Sequence, residues 1–196
     1  MLIDAPHPAF PAIVIDDVHG GELATTHLIE LGHRRIAFLG DKSLDPFRFA
    51  SSRDRTRGYE RALAHAGIEL RPEYVREGTQ SHHVARSTAI DLLRLPERPT
   101  AVFAASDTQA LGVLEAARIL GIQVPDELSV VGFDDIEIAA YVGLTTVRQP
   151  LFESGRRGGE LLLQMLAGAG QQLGESHLEQ IPVELVIRST TGPAKS

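Results

Sequence analysis

The stretch Ser129-Val-Val-Gly-Phe-Asp-Asp135 decides the fold. It is a short apolar run that ends abruptly in two carboxylates. Turn signals bracket it: Gly121-Ile-Gln-Val-Pro125-Asp-Glu127 lies upstream, and Leu144-Thr-Thr-Val-Arg-Gln-Pro150, a second β-branched run closed by a proline, lies downstream. A run this short and uniformly apolar reads as a strand covered on both faces, as in a parallel sheet. Parallel sheets hold ligands beyond the carboxyl ends of their strands, and Asp134 and Asp135 fall there. Either carboxylate could instead cap a short helix over residues 136–142, so the sequence leaves both readings open.

Working outward, strands and helices alternate. Ala101–Ser106 reads as a strand. Thr108–Leu120 reads as a helix with Ala110, Val113, Leu114 and Ala117 inward, stopped by Gly121 and Pro125. His83–Leu95 is a helix and Tyr74–Gly78 a strand. Arg55–Ala66 is a helix with Tyr59, Ala62, Leu63 and Ala66 on one face. The polar stretch 41–52 is a long loop, of the kind often used for function. Ile36–Gly40 is a strand, and Gly20–Leu31 a helix that Gly32 follows at its C′ position. Ala12–Ile15 is a short strand ending at Asp16-Asp17. After Pro150, Leu151–Ala167 reads as a helix with Leu161, Leu162, Met165 and Leu166 along one face. Its Gly155, Gly158 and Gly159 each lower helicity by about 1 kcal/mol, and close packing on a neighbouring backbone would explain them. Ile181–Ile187 is a final strand, and residues 190–196 are expected to be a disordered tail. The alternation from residue 20 to 150 predicts an α/β fold with a doubly wound parallel sheet.

Composition narrows the function. The chain has 196 residues and a net charge of −7, which argues against binding nucleic acid through its own surface. Arg48, Arg53, Arg55, Arg57 and Arg61 are scattered over a loop and a helix start and read mostly as solvated charges. The absence of cysteine excludes disulfides, thiolate metal sites and cysteine nucleophiles. No apolar run approaches the roughly 20 residues that span a bilayer, and the first residues carry no signal-peptide pattern. There is no nucleophile elbow and no phosphate loop. His82 and His83 are adjacent, cannot face one ion from a helix, and have no acid at ligand spacing. His33 is expected to interact with a helix C-terminus. No metal, no cofactor and no enzymatic activity are therefore expected.

Six pieces occur in one order: Gly32-His-Arg-Arg-Ile-Ala-Phe-Leu-Gly40, Arg55-Thr-Arg-Gly-Tyr59, Ala104-Ala-Ser-Asp107 with Ala110 and Gly112, Ser129–Asp135, Leu144–Pro150, and Pro182-Val-Glu-Leu-Val-Ile-Arg188. Together they resemble the lactose-repressor/galactose-repressor family of bacterial transcription regulators over nearly the whole chain. The resemblance implies a type I periplasmic-binding-protein-like fold. It implies a complete C-terminal subdomain over 20–149 and 178–190, and a partial N-terminal subdomain over 1–18 and 151–173. The helix-turn-helix and the first part of the N-terminal lobe are expected to be missing. Hinge crossings fall at Asp16, Asp17, Gln149 and Pro150.

The resemblance also implies a small-molecule effector, a sugar, sugar phosphate or nucleobase. Arg55 and Asp134 would hold it, with Ser106 and Gln80 completing the candidate set. The guanidinium of Arg55 offers a planar fork suited to hydroxyl pairs, carboxylates or phosphates; a salt bridge to Asp54 or another nearby acid is the alternative. Three positions depart from the family: Asp17 and Ser106 stand where asparagine is usual or frequent, and Gln80 stands about where an aromatic often stacks on the ligand. A cytoplasmic homodimer is implied, without membrane contact and with operator DNA bound only through the missing domain. The helix 151–167, deprived of most of its sheet, is expected to self-associate. A periplasmic-type sugar- or solute-binding protein of the same fold is the alternative function.

Overall fold

The computed structural model describes residues 2–3, 11–41, 51–79, 81–167 and 178–195. Two sheets organise them. The larger runs through β3 (Ile36–Asp41), β4 (Val75–Gly78), β5 (Ala101–Ala104), β6 (Ser129–Asp134), β7 (Thr145–Arg148) and β9 (Glu184–Val186) in the order β4-β3-β5-β6-β7-β9. All neighbours are parallel except β9, which closes the β7 edge antiparallel. The order reverses between β3 and β5, the switch point at which such sheets open a crevice beyond their carboxyl ends.

Helices cover both faces, as the apolar strands require. On one face, Ala24 and Leu28 of α1 (Asp17–Glu30) and Tyr59 and Leu63 of α2 (Ser51–His65) pack on Phe38, Phe103 and Phe133. On the other, Ala85, Ala89 and Leu92 of α3 (His82–Leu93) and Ala110, Val113 and Ala117 of α4 (Asp107–Leu120) pack on Leu39, Val102 and Val130. Alternate residues of each strand thus feed opposite cores. The expected doubly wound sheet is present. Helix α2 begins a turn earlier than the sequence suggested, which puts Arg55 inside it, and Ala66 lies exposed beyond its end.

The smaller sheet contains β1 (Leu2–Ile3), β2 (Ala12–Ile15) and β8 (Leu178–Ile181), all parallel. Helix α6 (Leu151–Leu166) lies against it through Leu161, which joins Ile13 and Ile181 in a small core. The single strand expected over 181–187 is two strands in two sheets. Pro182, which has no N–H to donate, breaks it. Residues 178–181 therefore pair with the smaller sheet rather than with the lobe assigned to 178–190. Of the α6 glycines, Gly158 is buried, whereas a side chain at Gly155 or Gly159 would meet nothing within 4 Å among the described residues. Leu151, Phe152, Leu163 and Leu166 of the same helix are exposed.

The segment 190–195 is not a loose tail. Thr190 is buried, its hydroxyl donates to the Val130 carbonyl at 2.8 Å, and its carbonyl accepts from the Val130 amide at 2.8 Å. The His33 ring belongs to the same join, while its amide donates to the Leu28 carbonyl in the last turn of α1 at 3.1 Å. Its buried ring lies 2.9 Å from Thr100 Oγ1, 3.0 Å from Ser129 Oγ and 3.1 Å from the Gly192 carbonyl. Burial holds its pKa below the usual histidine value.

Candidate functional site

The site is positioned by two helices in backbone contact. A Cβ on Gly58 of α2 would lie 2.1 Å from the Val18 carbonyl oxygen of α1, and one on Gly21 of α1 would lie 2.3 Å from the Arg55 carbonyl oxygen. Only glycine allows this approach, and it brings the first turn of α1 beside Arg55. Arg55 Nε donates to Asp17 Oδ1 at 2.7 Å, and Nη1 donates to the Ala105 carbonyl at 2.6 Å. The same Nη1 is 3.6 Å from Asp134 Oδ1, and the guanidinium carbon lies 3.6 Å from the centroid of the Phe133 ring. Asp54 is not its partner; that carboxylate pairs with Arg53 and Arg57.

Asp134 closes β6 at φ 115°, and Asp135 follows at φ 57°. Positive φ is uncommon for residues with a side chain, and aspartate is among those that tolerate it. The turn aims the two carboxylates differently. Asp134 Oδ1 accepts from Gln149 Nε2 at 2.5 Å. Burial pushes its pKa up to about 6 although Arg55 pulls it down. Asp135 binds Arg148 at 2.6 Å and Arg188 at 2.7 Å. Burial would raise its pKa, but the hydrogen bonds from these two guanidinium groups outweigh it and leave the pKa below the usual value. Asp135 thus ties the edge of the sheet together.

Neither carboxylate caps the short helix α5 (Glu137–Tyr141), whose N-cap is Ile136 without a side-chain bond. The Ile136 amide instead donates to Asp107 Oδ2 at 2.9 Å. Asp107 is fully buried, accepts from Thr146 Oγ1 at 2.6 Å through Oδ1, and has a pKa pushed up to about 6 by burial. A Cβ on Gly132 would lie 2.3 Å from Asp107 Oδ1, so the glycine before Phe133 makes room for this carboxyl.

The Ser106 hydroxyl is committed to capping α4, accepting from the Gln109 amide at 3.3 Å. Gln80 lies outside the described residues. Asp16 caps α1 through the His19 amide at 2.8 Å, and Pro150 stands at the N-cap position of α6. Gln149, expected as a crossing residue, donates to Asp134. Sequence reasoning passed over Asp41 and Gln109, which bond at 2.8 Å. Asp41 ends β3 as Asp134 ends β6, so the same strand-end argument would have found it.

No group of three or more metal-ligating side chains occurs among the described residues. An acid does face His82, however: Glu115 lies 3.2 Å away across the α3–α4 contact, where linear spacing did not reveal it. No helix among the described residues is long and apolar enough to cross a membrane. The cluster offers hydrogen-bond acceptors and an ion-paired guanidinium at the carboxyl ends of β5 and β6, an arrangement that suits binding.

Comparison with known proteins fits this geometry. The chain matches the periplasmic binding protein-like domain over residues 25–191. It is 36% identical over 189 residues to the HTH-type transcriptional repressor CytR of Escherichia coli (strain K12), covering 95% of this chain and 53% of that protein. The chain thus spans about half the length of the curated relatives it matches. Among solved structures, a complex of the transcriptional regulator CelR with cellobiose superposes with a TM-score of 0.85 at 32% identity, over 94% of this chain and 55% of that one. The lac repressor dimer bound to operator and the anti-inducer ONPF superposes with a TM-score of 0.83 at 31% identity, over 97% and 65%.

Proposed function

We propose, because the chain belongs to the lactose-repressor/galactose-repressor family of transcription regulators, that the cluster beyond β3, β5 and β6 is the effector-binding face of a repressor. The observation that carries this reading is Asp134: a carboxylate held partly buried at a strained strand end, beside Arg55 and bonded to a crossing residue. Such a group is costly unless something binds it. The effector is a small polar molecule, a sugar, sugar phosphate or nucleobase; that the related CelR was solved with cellobiose supports a sugar. Arg55 and Asp134 are the principal contacts, with Ser106 and Gln80 completing the candidate set.

Asp16, Asp17, Gln149 and Pro150 would serve as crossings between two lobes. The effector would bias lobe orientation by differential affinity. In the whole regulator a helix-turn-helix would bind operator DNA as a cytoplasmic homodimer, without enzymatic activity. The exposed apolar residues of α6 are proposed to be covered in that assembly. The repressor relatives favour this reading over a solute-binding protein.

The test is thermal unfolding against a panel of sugars, sugar phosphates and nucleobases, with Asp134→Ala alongside. A ligand at 100 times its Kd adds about 2.7 kcal/mol, a rise of roughly 5–10 °C. A rise that Asp134→Ala abolishes supports the reading. A rise that survives it, or no rise with any member, counts against it.

A further inference from the structure

One connection between the two sheets leaves directly from the candidate site. Strand β7 belongs to the larger sheet and ends at Arg148, while α6 begins at Leu151 and packs on the smaller sheet through Leu161. Gln149 and Pro150 alone lie between them. Pro150 has no N–H with which to extend the ladder, and α6 has no side-chain cap. Side chains fasten the stretch instead. Arg148 stands opposite Asp134 in the β6–β7 register but bonds Asp135 at 2.6 Å, and Gln149 bonds Asp134 at 2.5 Å. The amides that follow are carried by the same two linking residues: Leu151 donates to the Gln149 carbonyl and Ser154 to the Pro150 carbonyl, both at 2.9 Å. What holds Gln149 therefore holds the start of α6.

We propose that Gln149 is a positioning residue, a latch that couples the state of the Asp134 carboxyl to the start of α6 and so to the smaller sheet. A hydrogen bond to an ionised acceptor is roughly twice as strong as one to a neutral acceptor. The latch is closed while Asp134 is ionised. A proton on the carboxyl, or a ligand hydroxyl or N–H that draws on its charge, weakens the Gln149 bond and loosens the connection. The proposal rests on the effector-site reading and deepens it, because it names how occupation of Asp134 reaches the second sheet. The electrostatics agree. Burial raises the Asp134 pKa, Arg55 on α2 lowers it, Asp107 at the start of α4 raises it, the Gln149 bond lowers it, and Asp17 on α1 raises it. Its neighbour Asp135 is engaged by Arg148 and Arg188. That Gln149 favours the ionised carboxyl is the reciprocal of the ionised carboxyl holding Gln149.

The proton is the probe, so the test needs no effector. NMR between about pH 5 and 7.5 follows the Asp134 carboxyl carbon, the Gln149 side-chain N–H signal, and hydrogen exchange at the Leu151 and Ser154 amides, corrected for the intrinsic rate. In the natural chain all are expected to change with one midpoint, near the Asp134 pKa of about 6. Protection of the two amides should fall about 5-fold towards acid. In Gln149→Met the Asp134 midpoint rises, and the two amides stay at the acid level at every pH. Asp107, also with a pKa of about 6, is retained in that variant, so a flat profile there excludes it as the source. Asp134→Asn keeps an acceptor that never ionises, and it too must give a flat profile at the acid level. Protection that ignores the Asp134 titration overturns the latch, and so does a Gln149→Met chain that keeps the natural profile. If a variant does not fold, the titration of the natural chain decides alone. The latch can fail here while the ligand panel still identifies an effector, and a panel without a hit leaves a proton-sensitive latch standing, so the two failures are told apart.

Discussion

An Asp134→Asn substitution is expected to raise the stability of the larger lobe at neutral pH. The folded carboxyl has a pKa of about 6 against 3.8 in its ordinary state, with burial as the largest cause. Between those values the folded chain binds more protons than the unfolded one. Stability contributed by this group therefore falls as pH rises through that window, and the penalty is complete above about pH 6. At 1.36 kcal/mol per pKa unit the difference amounts to roughly 3 kcal/mol at most. The Asp134 side chain retains 20% of its exposure, so the expected gain is about 1–3 kcal/mol. Asparagine is a clean probe: its oxygen still accepts from Gln149, and it tolerates the φ of 115°. Urea unfolding of the natural chain and the variant should show the gain near pH 7.5 and its disappearance towards about pH 4. A loss of stability at neutral pH would refute the reasoning. An equal gain at both ends would also refute it, because the effect would then not come from the carboxylate's charge.

Two glycine substitutions should act in opposite directions. Gly58→Ala forces a methyl to 2.1 Å from the Val18 carbonyl; urea unfolding should report a loss of about 3 kcal/mol or more, with Arg55 freed from Asp17. Gly159→Ala meets nothing within 4 Å among the described residues and should stabilise by up to about 1 kcal/mol through helix propensity. His33→Gln breaks a join of four segments and should cost about 2 kcal/mol by the same assay. The pKa of His33 is lowered in the folded state, so its contribution is present above about pH 6.5 and is lost as pH falls. The variant should therefore lose less stability than the natural chain on acidification below that pH.

Much of the fold was legible because its signals are local. A parallel sheet buried on both faces needs short apolar strands such as Ala101–Ala104 and Ser129–Phe133, and helices between them long enough for crossovers. Residue order alone therefore predicted the doubly wound layers. The position of Asp134 was legible as well, since it follows the apolar run directly and so falls at the carboxyl end of the strand. Other features were not. The break at Pro182 was visible as a residue, but that its two sides join different sheets depends on partners far away in sequence. The fixing of residues 190–195 was hidden for the same reason: Thr190 and Gly192 find Val130, Ser129 and His33 only after the sheet is assembled.

The sequence by itself determined the layer architecture, the direction in which the strands point and the residue types at their ends, because periodicity, turn chemistry and strand burial act within a few residues. Only the tertiary structure decided which of the paired carboxylates is held by two arginines at the sheet edge and which lies beside Arg55 and Gln149. Two successive positive-φ residues send Asp135 to Arg148 and Arg188 and send Asp134 towards Arg55 and Gln149. Only it decided, too, that Arg55 pairs with Asp17, thirty-eight positions away. That pairing needs two glycine-lined helices to touch backbone to backbone, a contact that no local pattern encodes.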